Sequence, residues 1–350
     1  SDIELRKRER FAAGFLVALA AALVVLAAGA RCTPLRAGLT GFVAVASFAG
    51  AATMGQGLWQ ATTALPFLAG ALATLAWRER SPRLGTLAAV ATPTLLVLAV
   101  MLRPTIGPLA GGLGLVWLVH ARPRTWRGWL AAVAVMLAAT APLVVWNAIH
   151  LYSPFPIGQW KANKRMAETA VFSISHVANG IAGLVASPGR GLVWFAPIVA
   201  VGFVRGVRPH PSAPDHPWRL AAVGMLLQLV AMALFFKWHG GQAFGPRLLA
   251  ETTWVATFLA LGTRIDDRAR HLVTVAAVVT CVVGLLGLYG WRPQQWELRR
   301  VPDVHADALW DFGDSPLSAM FVYRDHRAGG HDAPPTHGIE CRADGTLRSF

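Results

Sequence analysis

Three arginines stand where helices should begin. They occur in the runs Arg103-Pro104-Thr105, Ser187-Pro188-Gly189-Arg190-Gly191 and Gly245-Pro246-Arg247. Proline suits the first turn of a helix, where its missing N–H costs nothing. Arginine does not, because the positive end of the helix dipole disfavours a cation. A cation beside free backbone N–H groups makes chemical sense when an anion lies between them. Three such sites on one face would hold a phosphate or pyrophosphate. The alternative is that each arginine snorkels to lipid headgroups.

The fullest of these segments is 237–251, Lys-Trp-His-Gly-Gly-Gln-Ala-Phe-Gly-Pro-Arg-Leu-Leu-Ala-Glu. It joins two apolar stretches through a Gly-rich, aromatic turn carrying His239, Gly240, Gly241, Gln242 and Gly245. Glu251 follows Arg247 by four residues and shares its helix face. It reads either as a local ion pair that neutralises Arg247, or as a group that orients Arg247 or meets a sugar hydroxyl. His239 would hydrogen-bond a substrate or serve an interfacial structural role. The run Gly55-Gln56-Gly57-Leu58-Trp59-Gln60 joins two other apolar stretches. Gln56, Gln60 and the Trp59 indole suit sugar hydroxyls and ring faces; Trp59 alone is equally at home in an interfacial belt. Ser187 joins the list through its arginine motif.

The 150–190 loop carries Tyr152, Phe155, Trp160, Lys161, Lys164 and Arg165, then an apolar stretch 170–186 suited to lying in the interface. Its basic and aromatic residues either guide a lipid headgroup or anchor the loop. His150, His176 and His239 have no paired spacing that would make a metal site. No cofactor is evident, and a divalent metal finds no ligand cluster here.

The elements that must position these residues are membrane helices. The chain has 350 residues, 55% hydrophobic and 14% charged, with a mean hydropathy of +0.47. That composition belongs to a polytopic membrane protein. Apolar stretches fall near 11–30, 38–54, 61–77, 84–102, 105–119, 129–149, 191–207, 219–236, 248–263 and 272–290. They predict an all-α fold of about ten transmembrane or re-entrant helices, several too short for a simple crossing. The pair within 84–119, divided only by Arg103 and Pro104, is the weakest division. Residues 1–290 form the transmembrane domain; 291–350 form a small tail that folds onto it.

The net charge of +14 is spread over short loops. It fits membrane orientation and anionic lipid, and no nucleic-acid-binding motif accompanies it. Loops 31–37, 78–83, 120–128, 205–219 and 264–271 hold more Lys and Arg than the opposite set, which places them in the cytoplasm. The N-terminus, the 150–190 loop, the 237–251 turn and the tail then lie outside. Cys32, Cys281 and Cys341 share no metal-ligand spacing and suggest no disulfide framework. The chain opens on Ser1 with no signal peptide before the first span, which reads as a fragment or processed product.

Taken together, residues 55–60, Leu102-Arg103-Pro104-Thr105, Ser187-Pro188-Gly189-Arg190-Gly191 and 240–247 resemble, in order and spacing, bacterial GT-C-type membrane glycosyltransferases related to dolichyl-phosphate-mannose protein mannosyltransferases. Leu309-Trp310-Asp311-Phe312-Gly313-Asp314 resembles the tails of such proteins. The likeness covers roughly 50–320. It implies inverting transfer of a sugar from a polyprenyl-phosphate donor, on the extracytoplasmic face of a bacterial inner membrane. Arginines would hold the lipid phosphate as leaving group, and an acidic residue in the first outer loop would be the general base. That loop should lie upstream of residue 1. Asp2, Glu4 and Glu9, set among Arg6, Lys7, Arg8 and Arg10, read as the end of that loop or as a solvated flank. On this reading the base is missing from these residues, which would be inactive alone.

The expected partners are membrane lipids, a polyprenyl-phosphate-linked sugar and an acceptor of unknown kind. The runner-up is a non-catalytic binder or flippase for polyprenyl-phosphate lipids. A secondary transporter is disfavoured: there is no internal repeat, and the polar elements gather at one face.

Overall fold

The computed structural model describes residues 2–150, 153, 172–208, 217–241, 243–263, 267–289, 296, 302, 306–320, 339–341 and 347–349. Tyr152, Phe155, Trp160, Lys161, Lys164, Arg165 and Gln242, named above, lie outside the described residues, as does most of the tail.

The chain is mostly helical. Helix α1 runs Asp2–Gly29, α2 Pro34–Ala46, α3 Gln60–Arg80, α4 Gly85–Leu102, α5 Gly107–His120 and α6 Trp126–His150. Then come α7 Val177–Ala186, α8 Leu192–Phe195, α9 Ile198–Val207, α10 Trp218–Leu234, α11 Ala250–Leu261 and α12 Asp267–Tyr289. In the tail, Ile339–Cys341 and Leu347–Ser349 pair as a short antiparallel hairpin, a departure from the all-α expectation.

Among the described residues, four helical segments are long and apolar enough to cross a membrane: Glu4–Gly29, Gly85–Leu102, Trp126–His150 and Ala269–Tyr289. A fifth crossing is made if Pro34–Ala46 and Phe48–Gln56, bent by 45°, count as one. The described structure thus supports a polytopic helical membrane protein with four or five candidate crossings, against the ten stretches read from hydropathy. The remaining stretches are helical but differently built. Stretch 191–207 is cut at Ala196–Pro197 into α8 and α9. Stretch 248–263 becomes the 12-residue α11.

Side chains follow a membrane logic. The inward face of α1 is small, with Ala13, Val17, Ala20, Val24, Ala27 and Ala28 buried, while Phe11, Phe15 and Leu26 point outward. Without a water-driven force between helices, close backbone approach and packing hold a membrane bundle together. One close crossing joins α5 to α10: a Cβ on Gly112 would lie 2.6 Å from the Gly224 Cα. Helix α11 is the axle of the bundle. All its residues from Ala250 to Ala260 are buried, and it touches α1, α2, α3, α9 and α10.

The contacts sort the connections into two ends. At one, Arg31 pairs with Glu79 at 3.1 Å, the Trp218 indole donates to Glu79 at 2.7 Å, and His120 lies 3.8 Å from Glu79. Arg36 donates to the Leu261 carbonyl at 3.0 Å and to that of Thr263, and Arg205 reaches the Thr263 hydroxyl. The basic loops grouped from sequence therefore meet at a common end. Burial lowers the Arg31 pKa, and the facing Glu79 carboxylate opposes that shift.

The α5–α10 crossing gives a direct test. Gly112→Val should push the helices apart and destabilise the protein by about 1–3 kcal/mol, the usual cost of overpacking. Gly111→Ala, where a Cβ meets nothing within 4 Å, should leave the thermal midpoint unchanged. Equal midpoints for both variants in detergent would remove the crossing from the fold's supports.

Candidate functional site

The opposite end holds the residues singled out above. Its centre is the turn 239–245. Gly240, Gly241 and Gly245 have φ of 75°, 69° and 76°, in the left-handed region that favours glycine. The Gly240 N–H donates to the Lys237 carbonyl at 2.8 Å, and the Gly241 N–H to Nδ1 of His239 at 3.1 Å. The His239 ring, buried and edge-on to Trp238, thus serves the turn's own backbone. Beneath Gly245 lie Phe48 and Phe195, and Thr53 donates to the Phe244 carbonyl at 3.3 Å.

Arg190 brackets this turn from below. The Ser187-Pro188-Gly189-Arg190-Gly191 loop closes between α7 and α8: the Ser187 hydroxyl accepts from the Arg190 N–H at 3.0 Å, and the Gly191 N–H donates to the Ser187 carbonyl at 2.6 Å. The guanidinium is 0% exposed. Its Nε donates to the His239 carbonyl at 2.9 Å, Nη2 to the Gly241 carbonyl at 2.9 Å and Nη1 to the Gly189 carbonyl at 2.7 Å. Arg190 neither snorkels nor stands open: it ties the glycine turn to the loop. The tail supports that loop in turn, through the Gly189 N–H on the Leu309 carbonyl at 3.0 Å and the Trp194–Phe312 ring contact.

Arg247 covers the turn from the other side. A Cβ on Gly241 would lie 3.9 Å from its Nη2, and its guanidinium carbon sits 4.4 Å from the centre of the Trp59 ring. That is cation–π distance. Trp59 caps the start of α3, is 42% exposed and carries Gln60 as the helix's first residue. Gln56 is exposed and donates to the Ala51 carbonyl. Helix α11 begins after a 3-10 turn, Arg247–Leu249, so Arg247 lies just outside the axle.

Glu251 does not pair with Arg247. Its carboxylate meets Nη1 of Arg103 at 2.8 Å, with the two side chains 1% and 7% exposed. The i, i+4 spacing that pointed to Arg247 loses because burial of Glu251 requires a cation at the same depth, and the break between α4 and α5 delivers one. Arg103 also donates from Nε to the Thr105 hydroxyl at 3.0 Å, while Gln228 of α10 donates to the Thr105 carbonyl at 2.9 Å. Among the three arginines, Arg190 and Arg247 converge on one turn, whereas Arg103 is committed to a buried ion pair.

Glu9 is the residue the sequence reading set aside. Its Oε1 accepts the Leu58 N–H at 3.0 Å, and both this oxygen and Nε1 of Trp59 lie within 3.2 Å of where a Gly57 Cβ would stand. The signal was obscured because Glu9 sits among Arg6, Lys7, Arg8 and Arg10, which reads as a solvated flank. His150 stacks on Trp146, and His176 sits in the 3-10 turn before α7. Among the described residues no group of three or more His, Cys, Asp or Glu could hold a metal ion.

Beside this polar cluster runs an apolar cavity of about 200 Å³. Val185, Leu192 and Val193 flank the Arg190 loop on one wall; Leu249 and Thr252 flank Arg247 and Glu251 on another; Phe203, Met225 and Leu229 complete it. No protein-family model, curated protein or solved structure matches the chain.

The buried pair yields a prediction with an internal control. Arg103→Met should strand a carboxylate in the axle and cost about 3–5 kcal/mol, while Arg103→Met with Glu251→Met should recover most of that loss. Thermal unfolding of the three proteins in one detergent measures it. Equal midpoints for wild type and the single variant would refute the pair's structural weight.

Proposed function

We propose that this protein is a GT-C-type membrane glycosyltransferase that moves a sugar from a polyprenyl-phosphate donor to an acceptor on the extracytoplasmic face of a bacterial inner membrane. The carrying observation is that one pair of segments offers both halves of such a donor a place. The loop of Arg190 and the start of α11 at Arg247 enclose a glycine turn on the polar side. The same segments form two walls of the apolar cavity. A ligand with an anionic head and a long apolar tail satisfies both at once.

In this reading the two arginines do different work. Arg190 preorganises the turn by holding its carbonyls away from the anion, and Arg247 presents the charge. A fixed cation aimed at the phosphate stabilises the charge that develops as the sugar–phosphate bond breaks. The motifs at 55–60, 187–191 and 240–247 agree with the GT-C resemblance, and they gather at one end of the bundle. The fold reading that goes with it is the full GT-C arrangement, with the shorter apolar helices completing about ten crossings or re-entrant segments. The same head-and-tail site would serve a non-catalytic carrier of such lipids; transfer of labelled sugar by purified full-length protein separates the two.

The phosphate reading makes a binding prediction. Arg247→Ala should weaken binding of a polyprenyl phosphate in nanodiscs by about tenfold or more, the worth of a charge-assisted hydrogen bond. Arg190→Ala should weaken it as well, with a lowered thermal midpoint because the turn loses its bracket. Unchanged lipid affinity in both variants would sink the reading.

A further inference from the structure

We infer that Glu9 and Trp59 form a sugar-binding subsite beside Arg247, and that the Glu9 carboxylate selects a neutral or amino-substituted sugar over a uronic acid. The inference rests on the phosphate reading of Arg247. Three observations carry it. Glu9 is exposed and lies at the rim, next to the Trp59 indole. The indole is 42% exposed, with the Arg247 guanidinium over its ring and the Glu9 carboxylate on the neighbouring Leu58 N–H, so a ring placed near Trp59 has both a cation and a carboxylate close by. The backbone of the 57–59 turn is fixed: the Leu58 N–H donates to Glu9, and the Trp59 N–H donates to the Gly57 carbonyl at 2.9 Å.

A carboxylate is an acceptor with room for several donors, and one backbone N–H leaves it capacity for sugar hydroxyls. An exposed aromatic face offers the apolar side of a sugar ring a surface to cover. Together with a cation for the phosphate, these are the groups a glycosyl phosphate requires. Two other acids of this end, among the described residues, lie beside arginines. Glu251 is buried against Arg103, and Glu4 lies 3.8 Å from Arg8 on the exposed flank. Sign of charge then sets specificity. A second carboxylate, on the sugar, would face Glu9, and like charges brought together weaken binding. An ammonium substituent would be drawn to it instead.

The test is binding alone, with full-length protein in nanodiscs and three probes: a polyprenyl phosphate, the same lipid carrying a neutral hexose, and the same lipid carrying a hexuronic acid. Wild type should hold the hexose carrier about tenfold or more tighter than the bare lipid, and the hexuronate carrier no tighter than the bare lipid. Glu9→Gln, which keeps an acceptor for Leu58, should bring the hexuronate carrier level with the hexose carrier. Glu9→Ala should lose the hexose increment with bare-lipid affinity intact. The proposal falls if the hexose adds nothing in wild type, or if Glu9→Gln still rejects the hexuronate. It also falls if Glu9→Ala loses bare-lipid affinity too, which would make Glu9 a strut of the turn. Failure of wild type to bind any of the three overturns the phosphate reading with it.

Discussion

A carboxylate in the first turn of the most enclosed helix sets the terms for the rest of this structure. Glu251 lies on α11, the axle that five other helices touch. An isolated charge at that depth is very costly, so it demands a cation with matching geometry. Arg103 supplies it at 2.8 Å. The demand fixes where α4 must end and α5 begin, because the guanidinium has to arrive from that break. It also fixes α10, whose Gln228 holds the Thr105 carbonyl beside the pair. Arg103 answers Glu251, while Arg247 lies over Trp59 and beside the glycine turn.

The cations of this end therefore divide by depth. Arg103 neutralises a charge inside the bundle. Arg190, equally buried, donates to a fan of three carbonyls, and so shapes backbone. Arg247, half-buried, reaches the rim. Guanidinium suits all three tasks because its fork of donors is planar and its charge does not titrate in the neutral range. Lysine would offer a point charge that neither brackets a turn nor stacks on an indole as well.

Much of this could be read from residue order. Apolar runs located the helices, and Gly and Pro beside Arg located the breaks that became the site. Pro246 and Gly245 did mark the start of α11, and the basic loops did meet at one end. What escaped reading was long-range pairing. Spacing on one helix pointed Glu251 at Arg247, but a partner 148 positions away in the chain prevailed because burial outweighs adjacency. Hydropathy also made ten equal stretches of helices that differ in kind: α6 is exposed along most of its length, whereas α11 is wrapped by protein. An apolar residue looks the same in either place. Glu9 was hidden for the converse reason, since a charge run looks solvated until the fold brings one member of it against Leu58.

The glycine turn shows why the polar end can stay open in a bundle that is closed elsewhere. Three residues in the left-handed region set the path of the turn, and the strain of that conformation is small only for glycine. Such a turn would collapse toward solvent unless its carbonyls were held, and Arg190 holds two of them from the buried side. Phe48 and Phe195 close the floor under Gly245, so the turn has no room to sink. The result is a held, polar turn with an arginine over the neighbouring indole. Rigidity matters here because a cation aimed in advance need not reorganise when charge appears beside it. The bracket beneath the turn is thus as much a part of the site as the arginine above it.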